Sequence, residues 1–255
     1  MYIMVDIDNV VSNIKQKQKD LSVSSFGNHK YSDLWYVCNK NKICITFSPR
    51  GGCSISFQQY LDLVGLLKDG LDYNPFIHVY RNEIFIPNIK HNDINNLIEK
   101  KYTFIKFIMN PYIRAVSIFR IQTSHNLSFR DYLKEILNNG FEFLNENDEC
   151  HRWSQYIDGE ENIITKYIKI DKNETFPITL FDGTIYTLDV NKYNSSHHGI
   201  KNKDNKTFCG DLPKDIVNSN LPKSYEYFYD EEIKMMVETL YKKDIEKYDY
   251  SFEDF

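Results

Sequence analysis

Ile43-Cys44-Ile45-Thr46-Phe47-Ser48-Pro49-Arg50-Gly51-Gly52-Cys53-Ser54 decides the fold class of this chain. The segment opens as a short apolar, β-prone run and bends through a Pro/Gly turn. It then enters a stretch in which Phe57, Tyr60, Leu61, Val64 and Leu67 recur at i, i+3, i+4, i+7 and i+10, one buried face of a helix. A strand is expected over 36–48, a helix from about Ser54, and Gly70 as its stop.

Working outward, Phe76–Tyr80 reads as a second strand and Asp93–Lys101 as a short helix. Tyr102–Met109 is apolar at nearly every position, the pattern of a parallel strand covered on both faces. Asn110-Pro111 starts a helix, since Asn caps well and Pro suits the first helical position. Ser128-Phe-Arg-Asp131 resembles a capping box for a helix through Leu137. Residues 162–170 are β-like, 189–212 form a polar loop, and Asp230–Tyr248 is helical. Strand–helix alternation predicts an α/β fold: a parallel sheet with helices on both faces, in a single domain over 1–255. Its core spans about 42–250, with 1–35 as an N-terminal extension.

Composition excludes several classes. Forty-two per cent apolar residues in 255 supports a real core and rules out a disordered chain. A net charge of −5 argues against a nucleic-acid binder, while leaving room for a local basic pocket. Five cysteines, odd in number and without CxxC spacing, argue against a disulfide scaffold or structural zinc and for a reducing compartment. Met1–Val11 carries Asp6 and Asp8 and lacks the layout of a signal peptide, and no apolar run is long enough to span a bilayer. A soluble cytoplasmic protein with no membrane partner is the expectation.

Two segments carry chemistry. A strand that ends in a Gly-bearing turn and opens a helix can cradle a phosphate. Gly51 and Gly52 allow the tight turn, the first-turn amides point outward, Arg50 adds charge, and Ser54 and Ser56 add hydroxyls. The nucleotide-triphosphatase form of this loop needs a Lys that is absent here. Cys44 and Arg50 have the Cys-x5-Arg spacing of a thiol phosphatase, but Cys44 sits inside an apolar strand, where a cysteine is inert. The second segment is Lys106-Phe-Ile-Met-Asn110-Pro111-Tyr-Ile-Arg114-Ala-Val-Ser117-Ile-Phe-Arg120. It again sets a helix start at a strand's carboxyl end, where open α/β sheets bind ligands. Ile113, Val116 and Phe119 are expected toward the core, with Arg114 and Ser117 together on another face. The pair His197-His198 has no third ligand at suitable spacing, so no metal is expected.

In order and spacing, the two segments resemble the sulfotransferases that use 3′-phosphoadenosine 5′-phosphosulfate (PAPS), in their carbohydrate branch. Pro49-Arg50-Gly51-Gly52-Cys53-Ser54 is similar to that branch's Arg-Ser-Gly-Ser-Ser loop for the 5′-phosphosulfate. Ile108-Met109-Asn110-Pro111-Tyr112-Ile113-Arg114-Ala115-Val116-Ser117 is similar to the family's Val-Arg-Asp-Pro-Phe-x-Arg-Leu-Val-Ser segment for the 3′-phosphate. His151-Arg-Trp-Ser-Gln155 and Tyr241-Lys-Lys-Asp244-Ile-Glu-Lys-Tyr248-Asp-Tyr250 resemble two further family stretches, so the likeness covers about 42–250.

The resemblance implies a P-loop-type fold and a site in which Arg50, Gly51, Gly52, Cys53, Ser54 and Ile55 hold the 5′ end of PAPS. Ser117, assisted by Arg114, would hold the 3′ end. Arg50 would also neutralise the leaving oxygen. A base lying between the two phosphate segments takes the acceptor's proton; His78, Glu83 and His91 are available, and His78 is preferred. Met109 stands where the family has its first Arg of the 3′ segment, and a thioether does not bind a phosphate; Lys201, Lys203 and Lys206 are alternative cations. Ser195–Lys206 is a flap candidate. The implied acceptor is a carbohydrate or small hydroxylated molecule, a neutral glycan by the net charge. A binding protein of this fold that transfers nothing, and a kinase-like P-loop enzyme, are the competing readings.

Overall fold

A computed structural model describes residues 21–25, 34–121, 126–141, 152–193, 206–222 and 224–254. Most of the expected extension over 1–35, Cys150, His151, His197, His198, Lys201, Lys203 and nearly all of the 195–206 flap lie outside these residues. The chain divides into two compact units, 1–108 with 159–197, and 109–158 with 198–255.

The first unit carries strands β1 (Leu21–Ser25), β2 (Leu34–Cys38), β3 (Ile43–Phe47), β4 (Lys90–His91), β5 (Thr103–Ile108), β6 (Lys166–Lys169), β7 (Thr175–Thr179) and β8 (Ile185–Asp189). Its helices are α1 (Cys53–Leu63), α2 (Leu67–Tyr73), α3 (Ile77–Tyr80) and α4 (Ile94–Glu99). Six strands form one sheet in the order β4-β1-β2-β3-β5-β6, and β7 and β8 form a separate hairpin. The expected all-parallel sheet is corrected to a mixed one. β3, β5 and β6 pair in parallel, whereas β1–β2 and β2–β3 are antiparallel. The single strand read over 36–48 is in fact the β2–β3 hairpin, because Asn39–Lys42 turns the chain with Lys42 at a positive φ of 51°.

Helices cover both faces of this sheet. On one face Tyr36 and Phe47 meet Phe57 and Tyr60 of α1 and Phe85, with Tyr36 ring centroids 4.9 Å from Phe57 and 5.3 Å from Tyr60. The Tyr60 hydroxyl donates to Val37 O at 3.0 Å, which satisfies its one polar atom in the core. On the other face Trp35, Val37, Cys44 and Phe104 pack on Ile94 and Leu97 of α4 and on Ile164. Alternation along β2 and β3 sorts these side chains between the faces.

The helix α1 stops earlier than expected. Gly65, at φ 68°, accepts the left-handed position, and Leu66 N–H donates to Leu61 O while Gly65 N–H donates to Asp62 O. That is the Schellman pattern, so Gly65 and not Gly70 ends the helix. Gly70 instead lies inside α2, where a Cβ would come within 2.9 Å of Ile77 Cδ1 and 3.1 Å of Leu61 Cδ1 and Tyr80 Cδ1. Gly70→Ala should gain about 1 kcal/mol of helix propensity yet lose about 1–3 kcal/mol to overpacking. A lowered urea midpoint is the expected result, and a raised one would show that the contact yields.

Phe76–Tyr80 is a helical turn, not the strand that its residue types suggest. Ile77 and Tyr80, at i and i+3, are both buried and anchor it.

The β7–β8 hairpin is tied to α1 through Asp62, which accepts from the Tyr186 hydroxyl and from Lys192 Nζ, both at 2.8 Å. Gln59 adds a bond from its side-chain amide to Asp189 O. Burial pulls the Asp62 carboxyl upward, but hydrogen bonds led by Lys192 and including Tyr186 outweigh it and hold the group below its ordinary 3.8. A depressed folded value means a stabilisation present above 3.8 and lost as pH falls through the folded value. Asp62→Asn should therefore lower stability at neutral pH and flatten the acid limb of a urea-midpoint against pH series. An unchanged acid limb would assign that limb to other carboxylates.

The second unit is helical: α5 (Pro111–Ile121), α6 (Phe129–Asn139), α7 (Lys214–Ser219), α8 (Glu231–Leu240) and α9 (Lys242–Tyr248). Asn110 Oδ1 accepts from Tyr112 N–H at the start of α5, Ser128 Oγ from Asp131 N–H at α6, and Asp230 from Ile233 N–H at α8. The run expected to be one helix over Asp230–Tyr248 is two, broken at Tyr241. Tyr112, Val116, Phe119, Phe129, Leu133 and Val237 are among the residues of its core.

Candidate functional site

The strand β3 ends at Phe47, and the chain turns at once. Gly51 N–H donates to Ser48 O at 2.7 Å, closing a turn with Pro49 and Arg50 at its centre and Arg50 at φ 60°. Pro followed by a left-handed residue is the type II arrangement. Gly52, at φ 100°, then caps α1. A Cβ there would lie 3.2 Å from Ile170 Cδ1 and 3.3 Å from its Cγ2, so both the angle and the space call for glycine. Cys53, Ser54 and Ile55 form the first turn of the 11-residue α1, where backbone N–H groups have no partner inside the helix. Ser56 N–H already reaches Gly52 O at 2.8 Å, and the Ser56 hydroxyl donates to Cys53 O at 3.1 Å.

His78 comes to this turn from α3. Its Nε2 lies 2.8 Å from Ser54 Oγ and 3.6 Å from Cys53 Sγ. The Phe76 ring sits edge-on to the imidazole at 5.1 Å between centroids. The structure thus brings Cys53, Ser54 and His78 together, although His78 is on a helix and not on the strand expected. Of the other two base candidates, Glu83 is exposed and accepts from the Tyr73 hydroxyl at 2.8 Å, and His91 is exposed on β4. Among the described contacts, neither reaches the turn.

Two cations of this unit escaped the sequence reading. Arg81 lies 5.9 Å over the ring of Phe47, the last residue of β3. Burial raises the nearby Tyr36 hydroxyl to about 12, with Arg81 opposing the rise. Its signal was the i, i+3 spacing from His78, visible only once 77–80 is read as helix. Lys106, in the middle of the apolar β5, pairs with Glu160 at 2.5 Å, both side chains buried. A charged residue in a covered strand needs such a partner. Cys44 is fully buried, and burial, reinforced by Cys38, pushes its thiol well above the usual range.

The second unit holds Arg114 and Ser117. Ser117 is half-buried on α5. Arg114 is 1 % exposed, its Nη1 4.0 Å from Asp244 Oδ2 and its guanidinium 5.7 Å over the Tyr241 ring. Asp244 accepts from Gln155 N–H and Tyr156 N–H, both at 2.8 Å, and from the Ser154 hydroxyl. The Gln155 side chain clamps the backbone of Met109, accepting from its N–H at 3.0 Å and donating to its O at 2.7 Å. Three of the four segments on which the sequence resemblance rested therefore interlock around Gln155 and Asp244. Among the described residues no cluster of three His, Cys, Asp or Glu side chains is arranged to hold a metal. Likewise, none of the described helices is long and apolar enough to cross a membrane.

Comparison of the chain with family models, with curated proteins and with solved structures returned no significant match.

Proposed function

We infer that this chain is a sulfotransferase of P-loop type that moves the sulfuryl group of PAPS to a hydroxyl of a carbohydrate or other small hydroxylated acceptor. The observation that carries the reading is the cradle: a left-handed Arg50–Gly52 turn opening α1, with His78 Nε2 2.8 Å from Ser54 Oγ. Supporting it, β3 and β5 pair in parallel through Phe47 and Phe107, so both strands end at the same sheet edge. The donor supplies an activated sulfuryl group when bound. Amides of Gly52, Cys53, Ser54 and Ile55, with the Ser54 hydroxyl, suit its 5′ end, where the helix start favours an anion, while the Gly51 amide, bonded to Ser48 O, holds the turn in shape. Arg50 stabilises charge on the leaving oxygen and, always protonated, cannot exchange a proton itself. His78 accepts the acceptor's proton. In the second unit, Ser117 is the hydroxyl that the sequence resemblance assigns to a 3′-phosphate, and Arg114, engaged with Asp244 and Tyr241, supports α5 from within.

Met109 favours a second reading, binding without transfer. Its side chain offers no charge, and its backbone is occupied by Gln155. One experiment tests both. At about one hundred times its Kd, adenosine 3′,5′-bisphosphate should raise Tm by several degrees, about 5 °C or more, whereas ATP should not. A shift with ATP alone removes the sulfotransferase reading. A shift with the bisphosphate but no turnover of radiolabelled donor leaves the binding protein.

A further inference from the structure

Among the described cysteines, Cys53 is the one that is not buried; Cys38, Cys44 and Cys209 are at most 3 % exposed. It is also the one with a base at hand, His78 Nε2 at 3.6 Å, and that same nitrogen meets Ser54 Oγ at 2.8 Å. A thiol and an imidazole within reach of each other form a nucleophile–base pair. Cys53 is the first residue of α1, and helical side chains lean toward the helix start. The thiol therefore stands at the helix start, directly after the Arg50–Gly52 turn, where the helix dipole favours negative charge.

We propose that Cys53 is a thiol-exchange site, which takes up half of a small-molecule disulfide with His78 moving the proton, and that the adduct covers the anion cradle. In the exchange Sγ attacks one sulfur of RSSR. The Cys53–S–S–R bond forms and the RS–SR bond breaks. The thiol proton passes to His78 Nε2 and then to the departing RS⁻, which leaves as RSH. The Cys53 sulfur is oxidised and the departing sulfur reduced, so no further oxidant is needed. The blocking of a nucleotide by the adduct rests on the function proposed above; the exchange itself does not.

The test is incubation of the full chain with oxidised glutathione at neutral pH, read by peptide mass mapping with time. Cys53 should be modified at least about tenfold faster in the folded chain than in the urea-unfolded chain, and reversed by a reducing thiol. His78→Ala and His78→Gln should each slow it about tenfold, with circular dichroism confirming the fold, because neither side chain accepts the proton. Equal rates in folded and unfolded chains, or wild-type rates in both His78 variants, overturn the proposal. Adenosine 3′,5′-bisphosphate, added in a parallel series, should protect Cys53. Fast, His78-dependent exchange without protection upholds the thiol site and removes the nucleotide reading. Slow exchange in a chain that binds the bisphosphate does the reverse.

Discussion

Replacing Asp244 by alanine should cost about 3–5 kcal/mol, a large part of the roughly 5–15 kcal/mol that holds an ordinary domain folded. The carboxylate is fully buried and accepts from two backbone N–H groups and a hydroxyl, with the equally buried Arg114 beside it. Alanine removes the acceptor that these donors share, and a buried polar group that loses its partner costs about 1–3 kcal/mol. The damage reaches α5, because the segment that Asp244 holds includes Gln155, and Gln155 fixes Met109. Asp244→Asn keeps the shape and one acceptor oxygen but turns an amide toward a donor, so it should lose about half as much. Urea denaturation measures both. A loss below about 1 kcal/mol for alanine would mean that water enters and replaces the carboxylate.

The second large effect concerns His78. Under the sulfotransferase proposal, His78→Ala should lower kcat by about 10²–10⁴ while leaving the Kd of adenosine 3′,5′-bisphosphate unchanged. His78→Gln separates two roles. Glutamine can still hydrogen-bond Ser54 but cannot take a proton at that position. If it is as slow as alanine, His78 is the base; if it restores turnover, the imidazole merely positions Ser54. Near-normal turnover in His78→Ala would remove both roles.

The local structure at the centre of the candidate site was legible in the sequence, its surroundings much less so. The β3–turn–α1 unit could be read because its signals are local: an apolar run, Pro49, two glycines and a helical stripe. β5 and the start of α5 were legible for the same reason, as was the inertness of Cys44. Phe76–Tyr80 misled because β-branched and aromatic residues favour strands only weakly, and the burial of Ile77 and Tyr80 against α1 and α2 outweighs that preference. Gly70 misled because a glycine can mark close packing as well as a helix end. The β7–β8 hairpin went unread although Asp182-Gly183, with Gly183 at φ 81°, carries a turn signal. The depth of Arg114 depends on Asp244, far along the chain, which no local pattern reveals.

The parallel pairing of β3 with β5 has a consequence for biogenesis. A ribosome delivers β2 and β3 as a ready hairpin while β5 is still unmade, since α1 to α4 must be translated first. Throughout that interval Ile43–Phe47 has one open, apolar side, the type of strand edge to which other chains attach. A nascent or prematurely terminated product that stops short of Thr103 keeps that edge unpaired, so the time spent translating this crossover is the time for which the edge is open to aggregation.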